Sequence, residues 1–346
     1  VDLKGAKLTF ADLDETNLTG ADLSNAILDA ASLRRTNLTG ANLSGATMKN
    51  ACLQKADFTG ARLARANLMG ADLREANLTS ANLTCVDCTH AKLGEATLHA
   101  ADLTGANLSQ ASVYRSNMTG ANLIGADLTY TDLTSANFEG ANLNGANLKG
   151  ANLTCANLTG ANLKNTNMTK ANLKSSKSAG VDFQFANLTN ISFWHTDLTG
   201  ANLTNANPTK ASLRNANLTN ANLTNANLAD SDLTRANLTG ADLNNANLEG
   251  ATLYDANMDG ANVTNANLTG VVYVDVYAIQ GTISDTLGND TCAICGYHGF
   301  DNLGGDYTDE DDVGYRVACG HVFHKNCLKQ WSWVSAVCPT CSERIR

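Results

Sequence analysis

A five-residue period runs without a frame shift from Val1 to Asp275, and it excludes most of what a chain of this size could fold into. The third residue of each five is Leu in 41 of 55 consecutive units, so every unit owns one large apolar site. Other large side chains take that site at Met48, Phe58, Cys88, Val113, Phe138, Phe183 and Phe193. Two residues earlier stands nearly always Ala, as at Ala6, Ala11 and Ala21, and occasionally Thr, Ser, Val or Ile; the remaining three positions are mostly polar or Gly. Five matches neither the 3.6-residue period of a helix nor the two-residue alternation of a strand. Each unit turns one large and one small apolar residue inward. It cannot bury them alone, so its stability must come from stacking against its neighbours.

The pattern A-(N/D)-L-(T/S)-(G/N) over residues 1–280 resembles the pentapeptide-repeat family. The resemblance implies an all-β solenoid, a right-handed quadrilateral parallel β-helix with four units per coil. About 14 coils at ~4.8 Å each would make a rod ~65 Å long. Residues twenty apart would then share a column, with Leu43, Leu63 and Leu83 stacked inside. Each buried Leu would contribute roughly 1.5–3 kcal/mol before chain entropy is counted.

One stretch breaks the rule. Ser176 and Ser178 take the two inward sites of one unit, and Pro208 takes another. Proline cannot donate to a backbone ladder, which predicts a local break or bulge. Aromatic residues gather nearby at Phe183, Phe185, Phe193 and Trp194. Two readings stand side by side: an irregularity filled by large side chains, and an exposed contact patch of Phe185, Trp194 and His195 of the kind interfaces enrich.

The rest of the rod offers little chemistry. Cys85 and Cys88 have metal or redox spacing, but Cys88 occupies an inward Leu site and Cys85 an outward corner. No second ligand pair stacks twenty residues away, and a buried Cys behaves as a small hydrophobe. Cys52, Cys155, His90 and His99 read as isolated residues. The many Asn-Leu-Thr triplets match the glycosylation acceptor pattern, yet the repeat itself generates them.

Charge narrows the function classes. The chain carries 24 Lys and Arg against 33 Asp and Glu, and the rod shows no continuous basic stripe, so no nucleic-acid partner is expected. Mimicry of DNA, known among pentapeptide-repeat proteins that act on topoisomerases, needs a dense acidic surface. Asn, Thr and Gly dominate this one instead. No apolar run approaches the roughly 20 residues of a membrane span, no signal peptide is visible, and no membrane partner is expected.

The composition changes abruptly near the C-terminus. Residues 271–277 read as a closing strand, 281–290 as a polar linker, and 291–346 as a separate domain. That domain holds Cys292, Cys295, Cys319, His321, His324, Cys327, Cys338 and Cys341. Eight soft or borderline ligands in four close pairs suit two tetrahedral Zn2+ ions. A disulfide framework would have no use for histidines at ligand spacing, and zinc thiolates point to a reducing, intracellular compartment. His298 falls outside the pattern, and the acidic run at 301–312 lacks the spacing of a calcium loop.

This spacing resembles the RING finger with two histidines at its fourth and fifth ligand positions. The resemblance implies a cross-brace. One zinc is held by Cys292, Cys295, His324 and Cys327, the other by Cys319, His321, Cys338 and Cys341. It also implies a shallow apolar surface of Ile294, Trp331 and Pro339 that docks a ubiquitin-conjugating enzyme. Active members carry Arg or Lys just after the last ligand, where this chain has Ser342.

Two functions follow as expectations. The first is a zinc-dependent ubiquitin ligase, in a eukaryotic cytoplasm or nucleus or in a host cell, whose rod recognises or spaces a protein substrate. The second is a scaffold in a larger assembly, such as a viral particle, with the finger as a non-catalytic interaction module. A rod that starts at residue 1 without a cap, exposing backbone edges, favours the second.

Overall fold

Turning two side chains inward every five residues requires the backbone to change direction at the same interval. In the computed structural model, which describes residues 1–272 and the short strands Gly314–Arg316 and Val322–His324, each pentapeptide does so. The N–H of each first-position residue donates to the carbonyl of the preceding Leu, as Ala6 does to Leu3 at 3.0 Å. Every fifth residue from Gly5 to Gly270 has a φ of 53–69°, which gives these corners the left-handed third residue of a type II turn. Nineteen of the 54 corners are Gly and ten are Asn, the residues that enter this region at least cost.

The second-position residues pair in parallel twenty residues apart, from Asp2 with Asp22 to Thr252 with Val272. Four pentapeptides therefore complete one coil, and the described rod is a β-helix solenoid of between thirteen and fourteen coils. No helix interrupts it among the described residues. Residues 1–20 form the first coil, and the third face of each coil is its third pentapeptide.

Hydrogen-bond accounting explains the polar half of the repeat. First-position N–H groups close the turns. Second-, third- and fifth-position N–H groups bond to adjacent coils, as Ile27 does to Ala6, Leu3 to Asp22 and Gly5 to Ser24. The fourth N–H has no backbone partner, and the second-position side chain supplies one. Thr19 donates its N–H to Asn17 Oδ1 at 3.1 Å and its hydroxyl to the same oxygen at 2.6 Å. Asn or Asp is thus required by a donor that would otherwise go unpaired. Where Asp fills this role, the N–H stabilises its charge: Asp22 is held below the ordinary carboxylate range, first by the Ser24 N–H. Where the second residue is Ser32 or Thr47, a fourth-position Asp one coil earlier takes over. Asp14 accepts from the Arg34 N–H at 2.7 Å, and Asp29 from the Lys49 N–H at 2.9 Å.

The core is a stack of Leu and Ala columns, almost all fully buried from Ala21 to Ala251. At the irregular stretch the frame holds. Ser176 and Ser178 are buried and share a hydrogen bond of 3.0 Å between their hydroxyls. Phe183 and Phe193 lie one coil on, with ring centroids 5.7 Å apart in an edge-to-face arrangement. Their coil sits between the two that carry Ser178 and Pro208 at inward sites.

The expected break at Pro208 does not occur. The five-residue pattern passes through it unchanged, and only the pairing of Asn207 with Asn227 is missing from the ladder. Proline lacks the one N–H that would donate to the Asn227 carbonyl. The Asn227 N–H still reaches Ala206 at 3.0 Å, so a single bond is lost rather than the register.

Val271 and Val272 are the last described residues of the rod, and Val272 pairs with Thr252. The rest of the expected closing strand, the linker 281–290 and the acidic run 301–312 lie outside the described residues.

Candidate functional site

Of the eight expected zinc ligands, the described residues include only His324. It ends strand β2 (Val322–His324), which pairs antiparallel with β1 (Gly314–Arg316) in the register Gly314 to His324, Tyr315 to Phe323 and Arg316 to Val322. The five residues that join these strands in sequence carry two more ligand candidates, Cys319 and His321. Cys292, Cys295, Cys327, Cys338 and Cys341 lie outside the described residues, as do Ile294, Trp331, Pro339 and Ser342. The chemistry of the donor set nevertheless fits zinc: six thiols and two imidazoles are the ligand types of tetrahedral structural zinc sites.

The rod offers no rival centre. Among the described residues, no three His, Cys, Asp or Glu side chains gather to hold a metal. Its four cysteines are free, with Cys88 buried and Cys85 and Cys155 exposed. Burial, and secondarily the Asp87 carboxylate, pushes the Cys88 thiol up to about 12. At pH 8 Cys88 is therefore almost entirely thiol and sealed from reagent. Brief iodoacetamide treatment of the native protein, read by peptide mass mapping, is expected to modify Cys85 and Cys155 and spare Cys88. Unfolding in urea is expected to expose Cys88 to the same reagent.

The expected aromatic patch is divided by the fold. The Trp194 and His195 rings lie 5.1 Å apart between centroids, tilted by 37°, and the Lys174 ammonium sits 4.0 Å from the Trp194 ring centre. Lys174 and Trp194 are twenty residues apart and so share a column. Phe185 is equally a corner residue and 58% exposed, but it precedes His195 by ten residues, half a coil. It stands at the diagonally opposite corner and does not join the group. Sequence reasoning missed Lys174 because the informative interval is twenty residues, not local proximity.

The same interval exposes a division of the rod surface. Among the described residues, seven of the eight ion pairs lie on the third face, including Arg35 with Glu15, Lys55 with Glu75, Arg115 with Glu95 and Arg235 with Asp255. These four pairs are one coil apart along a single corner. They contribute little stability individually because they are exposed.

Comparison with known proteins agrees with both parts of the chain. The family described as pentapeptide repeats (8 copies) matches eleven stretches between residues 2 and 270, and the RING-H2 zinc finger domain matches residues 290–342. RING finger protein 122 of Mus musculus is 36% identical over 59 residues, 17% of this chain and 32% of that protein. E3 ubiquitin-protein ligase MBR1 of Arabidopsis thaliana is 44% identical over 36 residues, 10% of this chain and 5% of that protein. The chain thus spans a third or less of these curated relatives. Among solved structures, HetL, a pentapeptide-repeat protein of the cyanobacterium Nostoc involved in heterocyst differentiation regulation, is 32% identical. The alignment covers 65% of this chain and 90% of that one, with a TM-score of 0.33. QnrB1, a plasmid-mediated fluoroquinolone resistance protein, is 18% identical over 52% of this chain and 86% of that one, with a TM-score of 0.36. The chain belongs to the pentapeptide-repeat family and carries a zinc-binding RING-H2 finger at its C-terminal end.

Proposed function

We propose that the chain is a RING-type ubiquitin ligase in which the right-handed repeat rod serves as the protein-interaction or spacing arm. The observation that carries this reading is the complete eight-ligand set within a RING-H2 match over residues 290–342. Two Zn2+ ions are held in cross-brace, one by Cys292, Cys295, His324 and Cys327, the other by Cys319, His321, Cys338 and Cys341. The antiparallel pairing of β1 with β2 supports this, because it reverses the chain between the first ligand pair and His324. Zinc supplies folding energy to a domain too small for much apolar core.

Ile294, Trp331 and Pro339 form the surface that docks a charged ubiquitin-conjugating enzyme. The finger holds that enzyme so that a substrate lysine amine attacks the thioester carbonyl. An isopeptide bond forms, the carbon–sulfur bond breaks, and the conjugating enzyme leaves with its thiol. No acid or base on this chain takes part, so the acceleration comes from positioning. The reaction places the protein in a reducing compartment that also holds ubiquitin.

A second reading, a scaffold whose finger is only an interaction module, is favoured by one residue. Ser342 stands where a cation would brace the conjugating enzyme against ubiquitin. Autoubiquitination by the zinc-loaded chain with a panel of conjugating enzymes decides between them. Chain formation that falls at least tenfold in Trp331→Ala supports the ligase. Absence of chains with every enzyme of the panel supports the scaffold.

A further inference from the structure

The cations of the rod are not spread evenly along it. Residues 141–220, the eighth to eleventh coils, hold seven Lys and Arg against two Asp and Glu. Residues 1–140 hold 11 against 15, and residues 221–272 hold one against six. A positive belt of four coils is therefore flanked by negative segments on both sides.

Within the belt the third face is different from the same face elsewhere. Below and above, its charges cancel in ion pairs one coil apart. Between Asp132 and Asp232 this face has no carboxylate at all, and its corner column runs Ser135, Cys155, Ser175, His195 and Asn215. Lys170 and Lys210 stand at the corner that precedes the face, and Lys174, Trp194 and Arg214 form one column on its far side. Among the described residues Lys170, Lys174 and Lys210 make no ion pair; Arg214 reaches Asp232 at 3.4 Å. Trp194 is 39% exposed, with Lys174 against its ring.

We propose that this face, built from Lys170, Lys174, Trp194, His195, Lys210 and Arg214, binds a short acidic segment of a partner protein. The inference rests on the reading of the rod as an interaction arm and names the chemistry the arm recognises. Unpaired cations on two edges attract carboxylates. The Trp194 ring gives an apolar or aromatic residue of the segment a surface to pack on. Length sets the class of ligand. Four coils span ~19 Å, the reach of about six extended residues. The acidic coils on either side lie within or near the ~8 Å screening length of physiological salt, so a long polyanion running along the axis meets repulsion at both ends. A peptide fits where an extended nucleic acid does not.

The test is fluorescence anisotropy of a labelled six-residue peptide, a central Leu-Trp pair flanked on each side by two residues of Glu or Asp, titrated with the full zinc-loaded chain. Its amide counterpart, with Gln and Asn in place of the acids, and a twelve-nucleotide oligothymidylate serve as comparison probes. The acidic peptide is expected to bind, to weaken steeply as salt rises, and to lose at least tenfold in affinity in Trp194→Ala and in Lys174→Glu. Lys177→Glu, on the fourth face of the same coil, is expected to change it less than threefold. Circular dichroism of each variant checks that the rod is intact, and Trp331→Ala is expected to bind the peptide normally, which separates this result from ligase activity. No binding of the acidic peptide at low salt would overturn the proposal, as would equal loss in Lys177→Glu or tighter binding of the oligonucleotide. Binding that emerges only after Asp309, Glu310, Asp311 and Asp312 are changed to amides would assign the face to the chain's own acidic run and overturn a separate partner.

Discussion

Cys327→Ser is expected to lower the zinc content of the purified chain from two ions to one or fewer and to reduce ubiquitin chain formation to background. A serine hydroxyl is not deprotonated at neutral pH and cannot replace a thiolate ligand. Structural zinc contributes on the order of 10–16 kcal/mol in small zinc domains, far more than a core of this size could supply. Loss of one ligand therefore removes the fold around that ion rather than merely weakening it. The rod has its own continuous core from Ala21 to Val271, and its main thermal transition is expected to stay in place. Metal analysis and a far-UV melt measured on the same sample separate these effects. Trp331→Ala supplies the contrast, because it is expected to keep both ions while losing activity. Unchanged zinc content in Cys327→Ser would remove Cys327 from the ligand set.

The rod was legible in the sequence because its period is unbroken and each position has one physical task. Leu and Ala fill the interior, Asn or Asp accepts the stray fourth-position N–H, and the fifth residue turns left-handed. The stacking of the Leu columns twenty residues apart was legible too; what escaped were polar and surface contacts with the neighbour one coil away. Asp14 and Asp29 replace a missing Asx acceptor from the previous coil, a role no local motif announces. Phe185 and Trp194 are close in sequence but stand on different sides of the rod, while Lys174 and Trp194 are distant in sequence and touch. Pro208 reads locally as a breaker, yet the ladder on either side holds its coil in register. Applying the step of twenty to the outward positions, and not only to the Leu column, pairs Lys174 with Trp194 and sets Phe185 apart.

The finger reverses this balance. Its eight ligand candidates are recognised from residue type and spacing alone, since tetrahedral thiolate and imidazole coordination demands close pairs. The proposed ligase activity turns instead on residues such as Ser342, whose contribution is read only against a bound partner. No periodicity or spacing rule predicts that contribution.

Phe193→Ala is expected to destabilise the middle of the rod by about 3–5 kcal/mol, the usual cost of emptying a buried aromatic site. The site should collapse poorly, because Ser178 and Pro208 already leave the adjoining coils short of inward volume. Ser178→Leu tests the same packing from the other side. Restoring the consensus Leu should destabilise by about 1–3 kcal/mol if the two large rings of the next coil, Phe183 and Phe193, take up the space it would enter. It would also leave the Ser176 hydroxyl without its partner at 3.0 Å. Combining Ser178→Leu with Phe193→Leu should recover much of that loss. The double variant then returns to the repeat's ordinary packing, and an interaction energy of roughly 0.5–3 kcal/mol is expected between the sites. Urea unfolding followed by circular dichroism gives the energies. A solenoid is stabilised by nearest-neighbour contacts, so hydrogen exchange should quicken mainly in residues 161–220 and leave the first coils unchanged. Strict additivity of the two substitutions would show that Ser178 and Phe193 do not share volume, and the irregular stretch would then need a different physical account.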